Sequence, residues 1–236
     1  MPDSRRISDL RNFYELLGSL AESGGGARTL AACSGQLKWP QRGVYFFMED
    51  GEVRSDSGTG PRIVRVGTHA LTKGSGTKLW SRLKQHRGQK KTGGGNHRGS
   101  IFRLLVGTAI MARNAYDFPT WGQRSNAPAD VRAAENALEC EVTKVICAMP
   151  FLWLAVDDEP GAESRRGYIE RNTIALLSNF GKEPLDPPSA GWLGRDCNRE
   201  LVRKSGLWNQ NHVDEAYDPA FLDCLDKLVS EMGRAA

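Results

Sequence analysis

Four residues in the chain carry side chains suited to the hydrolysis of phosphodiester bonds. Tyr45 lies in the apolar stretch GVYFF, and Glu170 lies in a later segment. Arg82 and His86 are four residues apart, so a helix would place both side chains on one face. The reaction needs a group that orients or deprotonates water and positive charge near the phosphate, often with a divalent cation. A phenol, an imidazole, a guanidinium and a carboxylate could supply these parts if the fold brings them together.

Each of these residues also has an ordinary structural interpretation. Tyr45 could be a half-buried strand aromatic, and Arg82 could be an exposed helix arginine. His86 could be a solvated histidine, and Glu170 a surface glutamate that favours helix formation. Residue type alone does not separate the two interpretations.

Positive charge is concentrated in one part of the chain. The 236-residue sequence has a formal net charge of only +4, but no Asp or Glu occurs between Ser57 and Tyr116. That window holds twelve basic residues, namely Arg62, Arg65, Lys73, Lys78, Arg82, Lys84, Arg87, Lys90, Lys91, Arg98, Arg103 and Arg113. Such charge segregation favours a polyanionic partner, above all a nucleic acid. A solvated basic face is the alternative.

Composition and cysteine usage predict a globular protein of a reducing compartment. The chain is 39% apolar and 25% charged, as in ordinary globular domains. No apolar run is long enough to predict a membrane span, and the N-terminal segment is amphipathic, unlike a signal peptide. Five scattered cysteines form no CxxC pair, which argues against a disulfide framework and a structural zinc. We therefore expect a cytoplasmic protein.

Hydrophobic periodicity predicts the elements that must position the candidate residues. Three- and four-residue spacing of apolar residues predicts a helix over 6–21, followed by a glycine-rich linker. Strands are predicted over 43–48 and 62–68, with a turn at Glu49-Asp50-Gly51-Glu52 in the long connection between them.

The remainder of the chain is predicted to be mainly helical. The predicted helices cover 78–87, 101–112 with Ser100 as its cap, 128–147, 163–178, 196–204 and 219–232. The unbroken apolar run 151–156 predicts a third strand, central in a sheet. The glycine-rich basic segment 88–99 is predicted to be a flexible loop.

The order of these elements and several short motifs resemble the GIY-YIG nuclease superfamily over residues 40–180. Gly43-Val44-Tyr45 is similar to its first motif, and Arg65-Val66-Gly67 stands in the place of its second. Leu79-Trp80-Ser81-Arg82-Leu83 resembles the family's helix with an invariant arginine. Glu170, on the helix after the third strand, is similar to its metal-binding glutamate, and Asn179 stands where many members have an asparagine.

The resemblance implies an α+β fold with a small central three-stranded antiparallel sheet flanked by helices. It divides the chain into an N-terminal helix and linker (1–39), a nuclease-like domain (40–180) and a helical C-terminal extension (181–236). The nuclease-like domain would contain a helical insertion at about 98–148.

The resemblance also implies a metal-dependent DNA endonuclease. Tyr45, helped by His86, would orient the attacking water, and Arg82 would stabilise charge on the phosphate. Glu170 would hold Mg²⁺ or Mn²⁺, which keep much of their hydration shell. Asn179 would support the metal site, or it would simply cap the helix. The rival carboxylates for the metal are Glu139, Glu141 and Glu163.

One position departs from the family pattern. The second motif normally has a tyrosine where this chain has Arg65, while Gly67 keeps the motif's glycine. An arginine there could contact phosphate. The departure leaves open a non-catalytic nucleic-acid-binding protein with the same fold, and a partner-binding protein with a merely solvated basic face.

The predicted nucleic-acid contacts come from the basic window and the tail. The candidates are Arg62, Lys84, Arg87, Lys90, Lys91 and Arg98. The segment from Lys84 to Gly99 is predicted to clamp the DNA backbone or to be a solvated loop. A helix from Asp196 would align Arg195, Arg199 and Arg203, which could read DNA, stabilise a homodimer or face solvent. The Arg82/His86 pair is similar to that of restriction-enzyme members, so a host-defence role is a hypothesis from the resemblance.

Overall fold

A four-stranded antiparallel sheet forms the centre of the protein. The computed structural model describes residues 4–235, and its strands are β1 (Arg28–Thr29), β2 (Gly43–Val53), β3 (Pro61–Gly67) and β4 (Pro150–Ala155). Their order across the sheet is β1-β4-β2-β3, with every neighbouring pair antiparallel. The α+β class and the antiparallel sheet are confirmed, and β4 is central as predicted.

Two sequence predictions about the sheet are wrong. The sheet has a fourth strand, β1, within the segment predicted to be a linker. Its two residues are too few to show the period of two that marks a strand. The predicted turn at 49–52 is also wrong, because β2 continues through it to Val53 with an irregular register opposite β3. Gly51, with φ of +80°, accommodates that irregularity.

Seven α-helices within the described residues flank the sheet. They are α1 (Ser4–Ser23), α2 (Leu79–Arg87), α3 (Ile101–Asn114), α4 (Ala129–Ala148), α5 (Arg165–Leu177), α6 (Glu200–Ser205) and α7 (Phe221–Ala235). Short 3₁₀ turns cover His97–Gly99 and Leu193–Asp196. Six helices agree with the predictions within a few residues. The predicted helix 196–204 is instead a 3₁₀ turn followed by the one-and-a-half-turn α6, so Arg195, Arg199 and Arg203 do not share one helical face.

Helices cover both faces of the sheet because successive side chains of β2 point to opposite sides. Val44 and Phe46 pack with α1, α5 and α7 in one core. Tyr45 and Phe47 pack with α2, α3 and α4 in the other. The first core contains residues from all three segments distinguished in the sequence, such as Leu10, Leu152 and Phe221.

An arginine of the helical insertion forms a buried ion pair within the insertion and also bonds to α2. The Arg103 guanidinium of α3 donates from Nε to Glu139 Oε2 of α4 at 2.9 Å, and from Nη1 to the carbonyl oxygen of His86 at 2.8 Å. Both charged side chains are buried, at 0% and 4% exposure. Such a pair is costly to break once formed. The insertion therefore fixes the end of α2 that carries His86.

The C-terminal extension covers the free edge of the sheet. The backbone N–H of Trp208 donates to the carbonyl oxygen of Val64 at 2.7 Å. The side-chain amide of Asn209 accepts from the N–H of Val66 at 3.1 Å and donates to its carbonyl at 2.9 Å. These contacts satisfy edge groups that would otherwise be open to pairing. They also place residues 209–212 beside the second half of β3.

Candidate active site

Tyr45 and Gly67 are cross-strand neighbours, and the tyrosine ring lies directly over the glycine. A Cβ atom on Gly67 would lie 2.6 Å from Cε2 of Tyr45, far inside normal contact distance. A Cβ atom on Gly43, at the start of β2, would lie just as close to the carbonyl oxygen of Leu154. Both motif glycines are thus required by close approach across the sheet.

Tyr45, His86 and Ser100 form a buried hydrogen-bonded chain. Tyr45 Oη lies 2.8 Å from His86 Nε2, and His86 Nδ1 lies 2.7 Å from Ser100 Oγ. All three residues are 0% exposed. The Ser100 hydroxyl also accepts from the N–H of Arg103, as the N-cap predicted for α3.

The imidazole of His86 is neutral in this environment. Burial, followed by the positive charges of Arg82, Arg65 and Arg103, holds its pKa well below the ordinary value. A neutral imidazole has one donor and one acceptor nitrogen, so one of the two hydroxyls donates to it and the other accepts from it. The arrangement can therefore pass a proton along its length.

Arg65 projects to the same side of the sheet as Tyr45. Its guanidinium lies 4.8 Å from the ring centroid of Phe102, and its Nη1 donates to the carbonyl oxygen of Trp208. Its Nε is buried without a hydrogen-bond partner among the described residues. Burial lowers the pKa of Arg65, whereas Tyr45 and Glu170 raise it, and a guanidinium stays charged in either case.

Arg82, on α2, is half-buried beside Arg65. Its Nη1 donates to Gln85 Oε1 at 2.8 Å and to the carbonyl oxygen of Gly99 at 3.1 Å. Its Nε, like that of Arg65, has no partner among the described residues. Buried N–H groups are rarely left unpaired, so two such donors side by side indicate a place for an anion.

Glu170 reaches the same region from α5. Its Oε1 accepts the backbone N–H of Thr68, at the end of β3, at 3.0 Å. Burial raises the pKa of Glu170, although Arg65 and the Thr68 N–H act in the opposite direction. A cation bound there would favour the ionised carboxylate.

A pocket of about 340 Å³ brings three of the predicted residues together. Arg65, Arg82 and Glu170 line it, and its other walls are Ile101, Ile174, Asn209, Gln210, Asn211 and His212. Tyr45 and His86 are fully buried next to Arg65 and do not line the pocket. The pocket thus combines the guanidinium groups of Arg65 and Arg82, the Glu170 carboxylate and an amide-rich wall. The hydrogen-bonded side chains of Tyr45 and His86 are buried next to Arg65.

Comparison with known proteins gives one match. The family model described as the GIY-YIG domain matches residues 4–235. The chain belongs to the GIY-YIG nuclease superfamily. The searches of curated proteins and of solved structures gave no match. The match extends well beyond the 40–180 segment in which the resemblance was recognised, and it includes α1 and α7.

The GIY-YIG domain has one carboxylate available for a divalent cation in this pocket. Glu170 is the only acidic residue among the described pocket-lining residues, and its Oε2 has no described partner. The described part of the chain contains no group of three or more His, Cys, Asp or Glu placed to hold a metal. A single carboxylate beside an open pocket suits Mg²⁺, which retains several waters. The rival Glu139 is held by Arg103 and His97 and lies outside the pocket.

Asn179 lies away from the pocket. Its Oδ1 accepts from Arg6 Nη2 and from the N–H of Leu185, both at 2.9 Å, and its Nδ2 donates to the Leu185 carbonyl oxygen. These bonds use both acceptor positions of Oδ1 and one of the two N–H groups of Nδ2. In this structure Asn179 connects α1 to the start of the C-terminal extension.

Two arginines predicted to contact nucleic acid are instead buried in ion pairs. Arg62 is 3% exposed, and its Nε and Nη2 donate to Glu52 Oε2 at 2.8 and 2.6 Å. The Arg98 side chain is 4% exposed, and its two Nη atoms donate to the Glu135 carboxylate. Neither guanidinium is available to a phosphate. The predicted contacts of Arg62 and Arg98 with nucleic acid would require these ion pairs to break.

The remaining basic candidates lie on and after α2. Lys84, Lys90 and Lys91 are exposed. Arg87 is half-buried, and its guanidinium lies 5.0 Å from the Trp80 ring centroid. Its Nη1 donates a hydrogen bond to the carbonyl oxygen of Cys33. The segment 88–99 is not the flexible loop predicted, because backbone bonds close it between Gln89 and Gly94 and its glycines pack against α3 and α4.

Sequence reasoning missed three contributors to the site. Ser100 was predicted only as a helix cap, and Thr68 only as the end of a strand. His212, in the C-terminal extension, has no predicted place in the site. A serine fourteen residues after His86 carries no signal of their contact, since the intervening loop decides it.

Proposed function

We propose that this GIY-YIG domain is a metal-dependent endonuclease that hydrolyses DNA phosphodiester bonds. The observation that carries the proposal is that Arg65 and Arg82 line one pocket with Glu170, and that the Nε–H of each arginine has no partner among the described residues. A phosphate supplies the acceptors that these donors lack, and Arg binds phosphate through directed N–H groups. The adjacent Tyr45–His86 pair supplies the proton acceptor that hydrolysis requires.

In the proposed reaction, Arg65 and Arg82 bind the scissile phosphate and stabilise the charge that builds on it. Arg65 lines the pocket and lies on the same side of the sheet as Tyr45. In the proposed reaction, its movement onto the phosphate exposes the Tyr45 hydroxyl to the attacking water. Water loses a proton to Tyr45 Oη as Tyr45 passes its own proton to His86 Nε2. In this tautomer the Nδ1–H of His86 donates to Ser100. The water oxygen forms a bond to phosphorus as the bond from phosphorus to the leaving oxygen breaks, and the electron pair of that bond stays on the leaving oxygen.

Glu170 would hold the divalent cation, magnesium or manganese. When bound, the cation supplies Lewis-acid polarisation of a phosphate oxygen and stabilises charge on the leaving oxygen. The Thr68 N–H holds one carboxylate oxygen and leaves the other for the cation. Glu170 otherwise acts only by fixing the position of its carboxylate at the end of β3.

A non-catalytic nucleic-acid-binding protein is the second candidate function. The observation that favours it is the complete burial of Tyr45, whose hydroxyl does not reach the pocket in this structure. Both candidates use the exposed lysines on and after α2 to hold the DNA backbone. Only the nuclease requires Tyr45 and Glu170.

The test is cleavage of supercoiled plasmid in magnesium or EDTA, with a gel-retardation assay on the same samples. The wild type is expected to nick or linearise plasmid only with magnesium, while Glu170→Gln and Tyr45→Phe bind plasmid without cutting it. Glu163→Gln is the matched control, because Glu163 is exposed before α5 and lies outside the pocket. Retardation without cutting by the wild type would favour the binding protein. Linear product would further point to two cooperating sites, as a homodimer would provide.

A further inference from the structure

The C-terminal extension forms one wall of the candidate active site. Asn209 is fixed to β3 through its two bonds to Val66, and the Val213 carbonyl accepts from Ser178 Oγ at 2.6 Å. The residues between these anchors, Gln210, Asn211 and His212, all line the pocket. The wall is therefore a short segment held at both ends, which positions its side chains for contact with substrate.

His212 is the residue of this wall with chemistry of its own. Its Nδ1 lies 2.8 Å from Glu215 Oε1, while the other oxygen of Glu215 accepts from Arg171 Nε. Burial raises the pKa of Glu215, but the bonds from His212 and Arg171 outweigh it and leave the pKa below the ordinary value. A carboxylate on Nδ1 orients the ring and leaves Nε2 as the nitrogen free to exchange a proton with substrate.

The backbone of His212 supports a positioning role. Its φ is +65°, in the left-handed region that residues other than glycine rarely adopt. A strained conformation persists where the surrounding structure imposes it, often at functional sites. His212 is also only 31% exposed in its side chain, although it lies in a surface segment. An ordinary surface ion pair with Glu215 would not require this backbone conformation.

We propose that His212 is a further catalytic residue, the general acid that protonates the leaving oxygen. The inference rests on the proposed nuclease function. In-line attack places the nucleophile and the leaving group on opposite sides of phosphorus. The Tyr45–His86 pair reaches the site from β2 and α2, whereas Glu170 and His212 reach it from α5 and the C-terminal wall. The proposal places the leaving oxygen on the side of His212.

The step balances without a further reactant. The oxygen of water forms a bond to phosphorus, and its proton passes to the Tyr45–His86 pair. The bond between phosphorus and the leaving oxygen breaks, and that oxygen takes the Nε2 proton of His212. The two histidines return to their starting states by exchange with solvent.

The experiment compares two substrates that differ in their need for a proton. Plasmid DNA releases a poorly stabilised alkoxide, whereas bis(p-nitrophenyl) phosphate releases a nitrophenolate that is stable as an anion. His212→Ala is expected to slow plasmid cleavage by about 10²–10⁴-fold and to hydrolyse the small ester at close to the wild-type rate. Glu215→Gln is expected to lose less on plasmid, because the imidazole remains. Asp214→Asn, an exposed neighbour, is the matched control and should match the wild type on both substrates.

The outcomes separate this role from the others. Equal loss on both substrates, or a raised magnesium requirement for His212→Ala, would overturn the inference in favour of a phosphate or metal contact. Wild-type plasmid cleavage by His212→Ala would overturn it while leaving the proposed nuclease function intact. A wild-type protein that cleaves neither substrate would overturn both.

Discussion

The hydroxyl oxygen of Tyr45 lies 2.8 Å from Nε2 of His86, although the residues are 41 positions apart and belong to different elements. The Tyr45 ring packs between Gly67 on β3 and His86 on α2, and this packing fixes the position of its hydroxyl. Ser100 holds the other ring nitrogen. The tyrosine is thereby coupled to a neutral histidine whose orientation is fixed at both nitrogens.

Removal of the Ser100 hydroxyl is expected to damage catalysis through His86. Ser100→Ala leaves Nδ1 buried without a partner and also removes the cap of α3, which should lower the free energy of unfolding by about 1–3 kcal/mol. We expect at least about a 10-fold fall in single-turnover cleavage, since His86 loses its fixed tautomer. Ser100→Thr keeps the hydroxyl and should restore both quantities. Wild-type cleavage by a folded Ser100→Ala protein would show that the contact is structural only.

Gly67 is expected to tolerate no side chain. The new methyl group of Gly67→Ala would overlap the Tyr45 ring, so the hydroxyl must leave its place beside His86. Overpacking of this kind costs about 1–3 kcal/mol of stability, and cleavage should be lost with it. Gly18→Ala is the matched control, because a Cβ at Gly18 on α1 meets nothing within 4 Å. Urea unfolding and plasmid cleavage measure the two effects, and retained activity in Gly67→Ala would contradict the geometry.

The sequence predicts the strands and helices that are long enough to show a repeating hydrophobic pattern. The strands that carry Tyr45 and Gly67 and the helices that carry Arg82 and Glu170 were all placed within a few residues. It did not predict β1, because two residues show no pattern. The place of His212 in the pocket was also out of reach, since it depends on the pairing of Asn209 with Val66 across 143 positions.

Three of the twelve basic residues between Ser57 and Tyr116 form buried ion pairs with acids outside that window. Counting charge between Ser57 and Tyr116 ignores acids outside the window that fold onto it. Glu52 pairs with Arg62, Glu135 with Arg98, and Glu139 with Arg103. A buried arginine and an exposed arginine look identical in sequence, so only the fold separates ion-pair partners from candidates for DNA.

Arg62 is expected to act on stability. Arg62→Met leaves Glu52 buried and unpaired, so the free energy of unfolding should fall by about 3–5 kcal/mol. Lys84→Met, at an exposed position, is the matched control and should change it by less than about 0.5 kcal/mol. Urea unfolding measures both. Replacing both partners, as Arg62→Met with Glu52→Leu, should recover part of the loss, and a neutral effect of Arg62→Met alone would refute the importance of the pair.

The exposed lysines around α2 are expected to set the salt dependence of DNA binding. Each of the single substitutions Lys84→Ala, Lys90→Ala and Lys91→Ala should reduce the slope of the logarithm of the DNA association constant against the logarithm of the salt concentration. The expected reduction is about 0.9 if the lysine neutralises one phosphate. Lys227→Ala, exposed on α7, is the matched control and should leave the slope unchanged. Binding of a fluorescent duplex across a salt series measures the slopes. If all four variants show the same slope as the wild type, these lysines do not contact DNA phosphates and the basic surface is only solvated.

His69 is expected to make the fold sensitive to acid. Burial, with the nearby charges of Arg166 and Arg82, lowers the pKa of His69 to about 4 from an ordinary 6.5. Below pH 6.5 the His69 ring is protonated in the unfolded chain, whereas in the folded chain it stays neutral down to about pH 4. The contribution of His69 to the free energy of unfolding is therefore fully present above pH 6.5 and is lost as the pH falls from 6.5 to about 4. With each pKa unit worth about 1.4 kcal/mol and some hydration of the ring allowed for, the loss attributable to His69 is about 2 kcal/mol.

Urea unfolding of wild type and His69→Gln at pH 7 and pH 4.5 measures that contribution. The variant is expected to lose less stability between the two pH values than the wild type, whatever its stability at pH 7. Buried His86, whose pKa is also lowered, adds to the acid sensitivity of both proteins and cancels in the difference. An unchanged pH dependence in His69→Gln would mean that the His69 ring is protonated as readily in the folded chain as in the unfolded one.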